Sequence, residues 1–152
     1  MTTKILLLNS LSEGDIVKCK EVSLWQCGIQ NPNPLVKNTS SGTILILMSK
    51  PTKYYHIVGI LSSGKRNLTK KISWPSAIDG NIPNTYHDEI GIITFKENYA
   101  PFTKEALEIL LETPIHLKMS AYECEISKLM EYLPLTTKKR SLKYQNSKSV
   151  NH

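Results

Sequence analysis

Two apolar segments separated by a short turn constrain the fold of this chain more than any other feature. Residues 43–49 read TILILMS and residues 54–61 read YYHIVGIL, with KPTK between them. β-Branched and aromatic side chains favour strands, and two such runs joined by a short turn are typical of a hairpin. The pattern predicts a buried β-hairpin, and KILLLN at residues 4–9 predicts another buried strand.

Helical patterns alternate irregularly with these strands. Three segments are predicted to be helical, at residues 10–25, 103–112 and 122–133, with Ser12 and Thr103 as N-caps of the first two. Residues 89–95 and 115–119 are predicted as further strands. Because no regular strand–helix–strand repeat is present, we predict an α+β fold: a small, curled, mixed sheet, an open barrel, flanked by about three helices.

Length and charge divide the chain into a body and a tail. Its 152 residues suit one domain, predicted over residues 1–134. Of the net charge of +6, five positive charges lie after Glu131, so residues 135–152 are predicted to be a basic, flexible tail or linker. No apolar run approaches the roughly 20 residues of a membrane span, and no signal peptide is evident. We therefore expect an intracellular, cytoplasmic protein without a membrane partner.

Signatures of enzymes, metals and cofactors are absent from the sequence. Phosphate-binding, dinucleotide-binding, zinc-protease and serine-hydrolase motifs do not occur. The three cysteines lack Cys-x-x-Cys spacing, and the four histidines lack ligand spacing. We expect no catalytic residue, no metal and no cofactor, and a function in binding.

The two tryptophans, Trp25 and Trp74, carry the positive signal, since each is followed by residues that interrupt regular structure. Gln26-Cys27-Gly28 follows the first and Pro75 follows the second. Two indole planes facing each other about 7 Å apart, twice a stacking distance, would hold one flat base. The alternative is that both rings pack into the core beneath loops.

Five segments, in order, resemble the YTH domain, a member of the PUA-like superfamily that also contains the EVE domain. They span residues 4–132 and are LLLNSLSEGDIVKCKEVSLWQCGIQNPNPL, TILILMSKPTKYYHIVGIL, ISWPSAIDG, APFTKEALE and PIHLKMSAYECEI. The resemblance implies a reader of N6-methyladenine that encloses a flipped base in an aromatic cage.

The resemblance also implies roles for particular residues. Trp25 and Trp74 would be the cage walls, and Asp15, ten residues before Trp25, would face the ring nitrogen of the adenine. The backbone near Gln26 would meet the amino edge of the base, and Asn31 would line the pocket. A third wall is not identified.

Basic residues in loops are candidates for contacts with the phosphate backbone. They are Lys50, Lys65, Arg66 and Lys70. Lys118, in the predicted strand at residues 115–119, is a further candidate, whereas Ala121 stands where the family commonly has an Arg. The chain begins at its first strand and ends in a polar tail, as in N-terminal targeting modules of McrB-type restriction systems. We therefore expect a methylated DNA or RNA partner, with DNA favoured, and an AAA+ motor or nuclease partner. Two alternatives remain: a PUA- or EVE-like domain that binds RNA or 5-methylcytosine without this cage, and a protein-interaction module with structural tryptophans.

Overall fold

One mixed sheet of six strands organises the part of the chain that the computed structural model describes, residues 1–10, 12–27, 41–65, 74–76, 88–95, 99–115 and 120–132. The strands are β1 (Thr2–Ser10), β2 (Leu24–Cys27), β3 (Ile44–Ser49), β4 (Tyr55–Lys65), β5 (Asp88–Thr94) and β6 (Ser120–Glu125). Their order across the sheet is β2-β5-β4-β3-β1-β6. Only β1 and β3 are parallel, and the sheet is not closed into a barrel. The predicted α+β class with a mixed sheet is confirmed.

The hairpin that the sequence predicts forms the centre of this sheet. β3 pairs antiparallel with β4, with Leu47 opposite His56 and Met48 opposite Tyr55. Every residue of β3 is buried, because core side chains pack against both faces of this central strand.

Three helices, α1 (Glu13–Val22), α2 (Lys104–Leu111) and α3 (Ile126–Tyr132), flank the sheet in the described ranges. Ser12 and Thr103 cap α1 and α2 as predicted, each accepting a hydrogen bond from the backbone N–H three residues later. α1 ends earlier than predicted because Ser23 adopts a left-handed conformation, with φ of 55°. The chain then enters β2 rather than a loop.

The third helix is shorter than the sequence indicates. Residues 120–125, predicted in part as helix, form β6 and pair with β1 from Thr2 opposite Glu125 to Leu7 opposite Ser120. Pairing with a long, buried neighbouring strand outweighs the local helical preference of this segment. Residues 116–119 of the predicted last strand lie outside the described residues, as does the predicted tail at 135–152.

Alternating side chains of the strands divide the core between the two faces of the sheet. In β1, Ile5 and Leu7 pack on one side with α2 and α3, whereas Leu6 and Leu8 pack on the other side with α1. The α1 face also contains Ile16, Cys19, Trp25, Leu45, Leu47, Val58, Leu61, Trp74, Ile90 and Ile92. Both tryptophans therefore belong to the α1 side of the core. None of the helices in the described ranges has the length and apolar character needed to cross a lipid bilayer.

Candidate functional site

Trp25 lies on strand β2 and not, as predicted, at the edge of a loop. Pairing with the neighbouring strand therefore holds the backbone that carries its ring. In β2 it pairs with Ile90 of β5, and its side chain is only 7% exposed. The ring packs into the cluster beneath α1. The edge strand β2 thus directs the first indole inward, beside the helix that carries Asp15.

Trp74 completes an indole pair with Trp25. It is 3% exposed, its ring centroid lies 5.3 Å from that of Trp25, and the two planes meet at 66°, edge to face. The expectation of facing planes about 7 Å apart is therefore wrong for the ligand-free protein. Edge-to-face contact suits the charge distribution of two aromatic rings, and rings in contact at this distance leave no room for a base between them.

Asp15 holds the segment that follows Trp74. It is 4% exposed, and its Oδ1 accepts a 3.0 Å hydrogen bond from the backbone N–H of Ser76 while its Oδ2 accepts a hydrogen bond from Ser76 Oγ. Asp15 is three residues after the N-cap, where an acidic side chain often returns to the N-cap N–H. Here the Ser12 N–H instead donates to Ser10 Oγ at 3.4 Å, and both carboxylate oxygens of Asp15 accept hydrogen bonds from Ser76.

A close contact between Gly14 and the ring of Pro75 supports the same docking. A Cβ added to Gly14 would lie 3.2 Å from Cβ of Pro75, so the first turn of α1 and the Trp74–Ser76 segment are in direct contact. Trp25 and Trp74 are thus in contact, and Asp15 is hydrogen-bonded to the segment that follows Trp74, although the three residues span 60 positions of the sequence. Their roles toward a base stay predictions.

Sequence reasoning missed Ser76. A lone serine after Trp-Pro has no pattern that would single it out, because its partner Asp15 is 61 residues away. Only the fold places the two side chains together.

The remaining predicted site residues fall into two groups. Gln26 and Lys65 have described backbones, on β2 and β4, and both pair with Glu89 of β5. Lys50 is exposed in the turn after β3, next to the end of β1, where its N–H donates to the carbonyl of Ser10. Lys50 therefore precedes β4 and Lys65 ends it, at opposite ends of one long strand. Asn31, Arg66, Lys70 and Lys118 lie outside the described residues.

A polar cluster borders the first turn of α1. Glu13 Oε2 lies 2.7 Å from Nε2 of His56, and Glu13 Oε1 accepts a hydrogen bond from the Thr52 hydroxyl. Burial lowers the pKa of His56 more than the charge and hydrogen bond of Glu13 raise it. Burial alone would raise the pKa of Glu13, but the Thr52 hydrogen bond and the charge of His56 together lower it. This cluster ties the α1 terminus to the β3–β4 turn.

Comparison with known proteins decides the fold family. No protein-family model and no curated protein matches this sequence. The fold is similar to a crystal structure of the Mmi1 YTH domain, with a TM-score of 0.53 and 13% identity over 96% of this chain and 99% of that one. A crystal structure of the Mmi1 YTH domain in complex with RNA is similar at a TM-score of 0.54 and 15% identity, over 87% of this chain and 78% of that one.

The chain has the fold of a YTH domain. The five-segment resemblance in the sequence is thereby confirmed at the level of fold. Within this YTH fold, Asp15, Trp25 and Trp74 lie on the α1 face of the sheet. The described residues contain no group of three or more His, Cys, Asp or Glu side chains arranged to hold a metal ion.

Proposed function

We propose that this chain is a non-enzymatic reader of N6-methyladenine in nucleic acid, with Trp25 and Trp74 as the walls that hold the base. The placement of Asp15, Trp25 and Trp74 on the α1 face of the sheet, in a chain with the YTH fold, is the observation that supports this. The RNA-bound Mmi1 YTH domain, similar in fold, supports a nucleic acid as the partner.

Binding requires the indole pair to open. At a centroid separation of 5.3 Å and an angle of 66° the rings contact each other. A base between them needs roughly parallel planes about 7 Å apart. The ring–ring contact, of about 0.5–1.5 kcal/mol, is then exchanged for two base–indole contacts of about 1–3 kcal/mol each. The exchange is favourable whenever the indoles rotate without exposing the apolar side chains below them.

The methyl group is what would distinguish N6-methyladenine from unmodified adenine. Its burial is worth about 0.8 kcal/mol, which corresponds to about a fourfold preference over unmodified adenine. A larger preference would need a third wall in contact with the methyl carbon. Removing a base from a duplex costs a few kcal/mol, so single strands should bind more tightly than duplexes of the same sequence.

The experiment is a titration of the protein with short single-stranded oligonucleotides that carry adenine, N6-methyladenine or 5-methylcytosine at one position. RNA and DNA series are run in parallel, because the sequence favours DNA and the Mmi1 complex contains RNA. Tryptophan fluorescence reports binding directly, since the chain has only two tryptophans. Preference for N6-methyladenine of at least about fourfold supports the proposal.

Phe variants are the right probes of the cage walls. Both indoles are buried in the core, so Trp→Ala would destabilise the fold and confuse loss of binding with loss of structure. Trp25→Phe and Trp74→Phe keep an aromatic core residue and reduce the stacking area. Weaker binding of the methylated strand by both variants supports the cage, whereas unchanged binding by either variant removes that residue from it. Preference for 5-methylcytosine would favour the EVE-like alternative instead.

Targeting of a restriction system, with an AAA+ motor or nuclease as partner, is a further part of the proposal. It is supported by the sequence resemblance alone. Co-purification of such a motor with the full chain would test it.

A further inference from the structure

Ser76 connects the two parts of the candidate site. Its backbone N–H and its hydroxyl both donate to Asp15, on the first turn of α1, and it lies two residues after Trp74. Pro75, between them, packs against Gly14 of the same turn. The segment that carries the second indole is therefore attached to α1 through the Asp15 carboxylate and the Pro75–Gly14 contact.

The Asp15 carboxylate accepts hydrogen bonds from Ser76 and not from the N-terminal N–H groups of its own helix. Its N–H donates to Ser12 Oγ at 3.1 Å, as expected for this position, but its carboxylate points away to Ser76. A buried carboxylate needs hydrogen-bond donors to offset its lost hydration. Ser76 supplies two of them, one from its backbone N–H and one from its hydroxyl.

We propose that Ser76 is the positioning residue of the base site: through Asp15 it sets where the Trp74 indole and the Asp15 carboxylate lie. This inference rests on the proposed function for its effect on base affinity, but its effect on the indole pair does not depend on any ligand. Without the hydroxyl, Asp15 keeps one donor from Ser76 and can rotate. Trp74 then loses part of the link that holds its ring at 5.3 Å from Trp25.

The test compares Ser76→Ala with Ser76→Thr, which restores the hydroxyl, and with the control Ser127→Ala. Ser127 is exposed on α3, across the sheet from the site. The ligand-free readout is the exciton couplet in circular dichroism that two indoles in contact produce. Trp25→Phe and Trp74→Phe, which must abolish the couplet, assign it to this pair. The ligand readout is the affinity for single-stranded oligonucleotides with N6-methyladenine or adenine.

We expect Ser76→Ala to weaken the couplet and to lower affinity for the methylated strand about tenfold, the scale of one hydrogen bond to a charged group. Ser76→Thr should restore both, and Ser127→Ala should change neither. Suppose that the wild-type protein prefers the methylated strand. An unchanged couplet and an unchanged affinity in Ser76→Ala would then overturn the inference. Equal wild-type affinity for both strands would instead refute the proposed function, and the ligand-free couplet would still decide the positioning role.

Discussion

Replacing Asp15 by Ala tests how the candidate site is held together. The change removes a buried acceptor of two hydrogen bonds from Ser76. Hydrogen bonds to a charged group contribute about 1.5–3 kcal/mol each, and an acid in the first helical turn adds about 0.3–1 kcal/mol. Relief from burying a carboxylate offsets part of this sum. We expect the free energy of unfolding to fall by about 2–4 kcal/mol, which for 152 residues corresponds to roughly 5–15 °C in Tm.

Urea unfolding followed by tryptophan fluorescence measures this loss. Glu21→Ala is the matched control, because Glu21 is an exposed acid on the same helix, at its other end. It should change the free energy of unfolding by less than about 0.5 kcal/mol. An Asp15→Ala protein as stable as Glu21→Ala would refute the reasoning that Asp15 holds the Trp74 segment.

Three further predictions concern the scaffold. Gly59→Ala should lower the free energy of unfolding in urea by about 3 kcal/mol or more, because the new Cβ would lie 2.3 Å from the carbonyl oxygen of Ile93 and β5 would have to move. An unchanged urea midpoint would show that the strands adjust freely. Trp25→Ala should lower the free energy of unfolding by about 3–5 kcal/mol in the same assay, because the buried indole is removed. A decrease of less than about 1 kcal/mol would show that the ring lies outside the core. For pH, the folded pKa of His56 lies below its ordinary value of 6.5, so its contribution to stability is complete above about pH 6.5 and is lost as the pH falls through the folded pKa. Glu13 acts the same way below pH 4.5. His56→Gln should reduce the loss of stability as the pH falls below 6.5, which unfolding curves at several pH values would measure.

The central fold could be predicted from the sequence because its signals are local. The apolar runs at residues 43–49 and 54–61 define a hairpin, and the N-caps Ser12 and Thr103 define two helix starts. Residues 120–125 could not be assigned correctly, because their strand depends on pairing with β1, more than 110 positions away. A helical preference within such a segment carries no information about that partner.

The candidate site, like the fold, could be predicted from the sequence only in part. Trp25, Trp74 and Asp15 could be selected by family register, and the fold brings them together. Their detailed geometry could not be predicted, because the edge-to-face angle depends on how two rings fill one volume. Ser76 was missed because its role exists only through a contact between distant segments.

The most direct test of the account is the structure of this protein with a single-stranded oligonucleotide that contains one N6-methyladenine. We predict that the indoles of Trp25 and Trp74 leave their 66° contact and lie parallel, about 7 Å apart, with the methylated base between them and Asp15 still bonded to Ser76. A bound strand that leaves the two rings in contact at 5.3 Å, with its methylated base elsewhere, would contradict it.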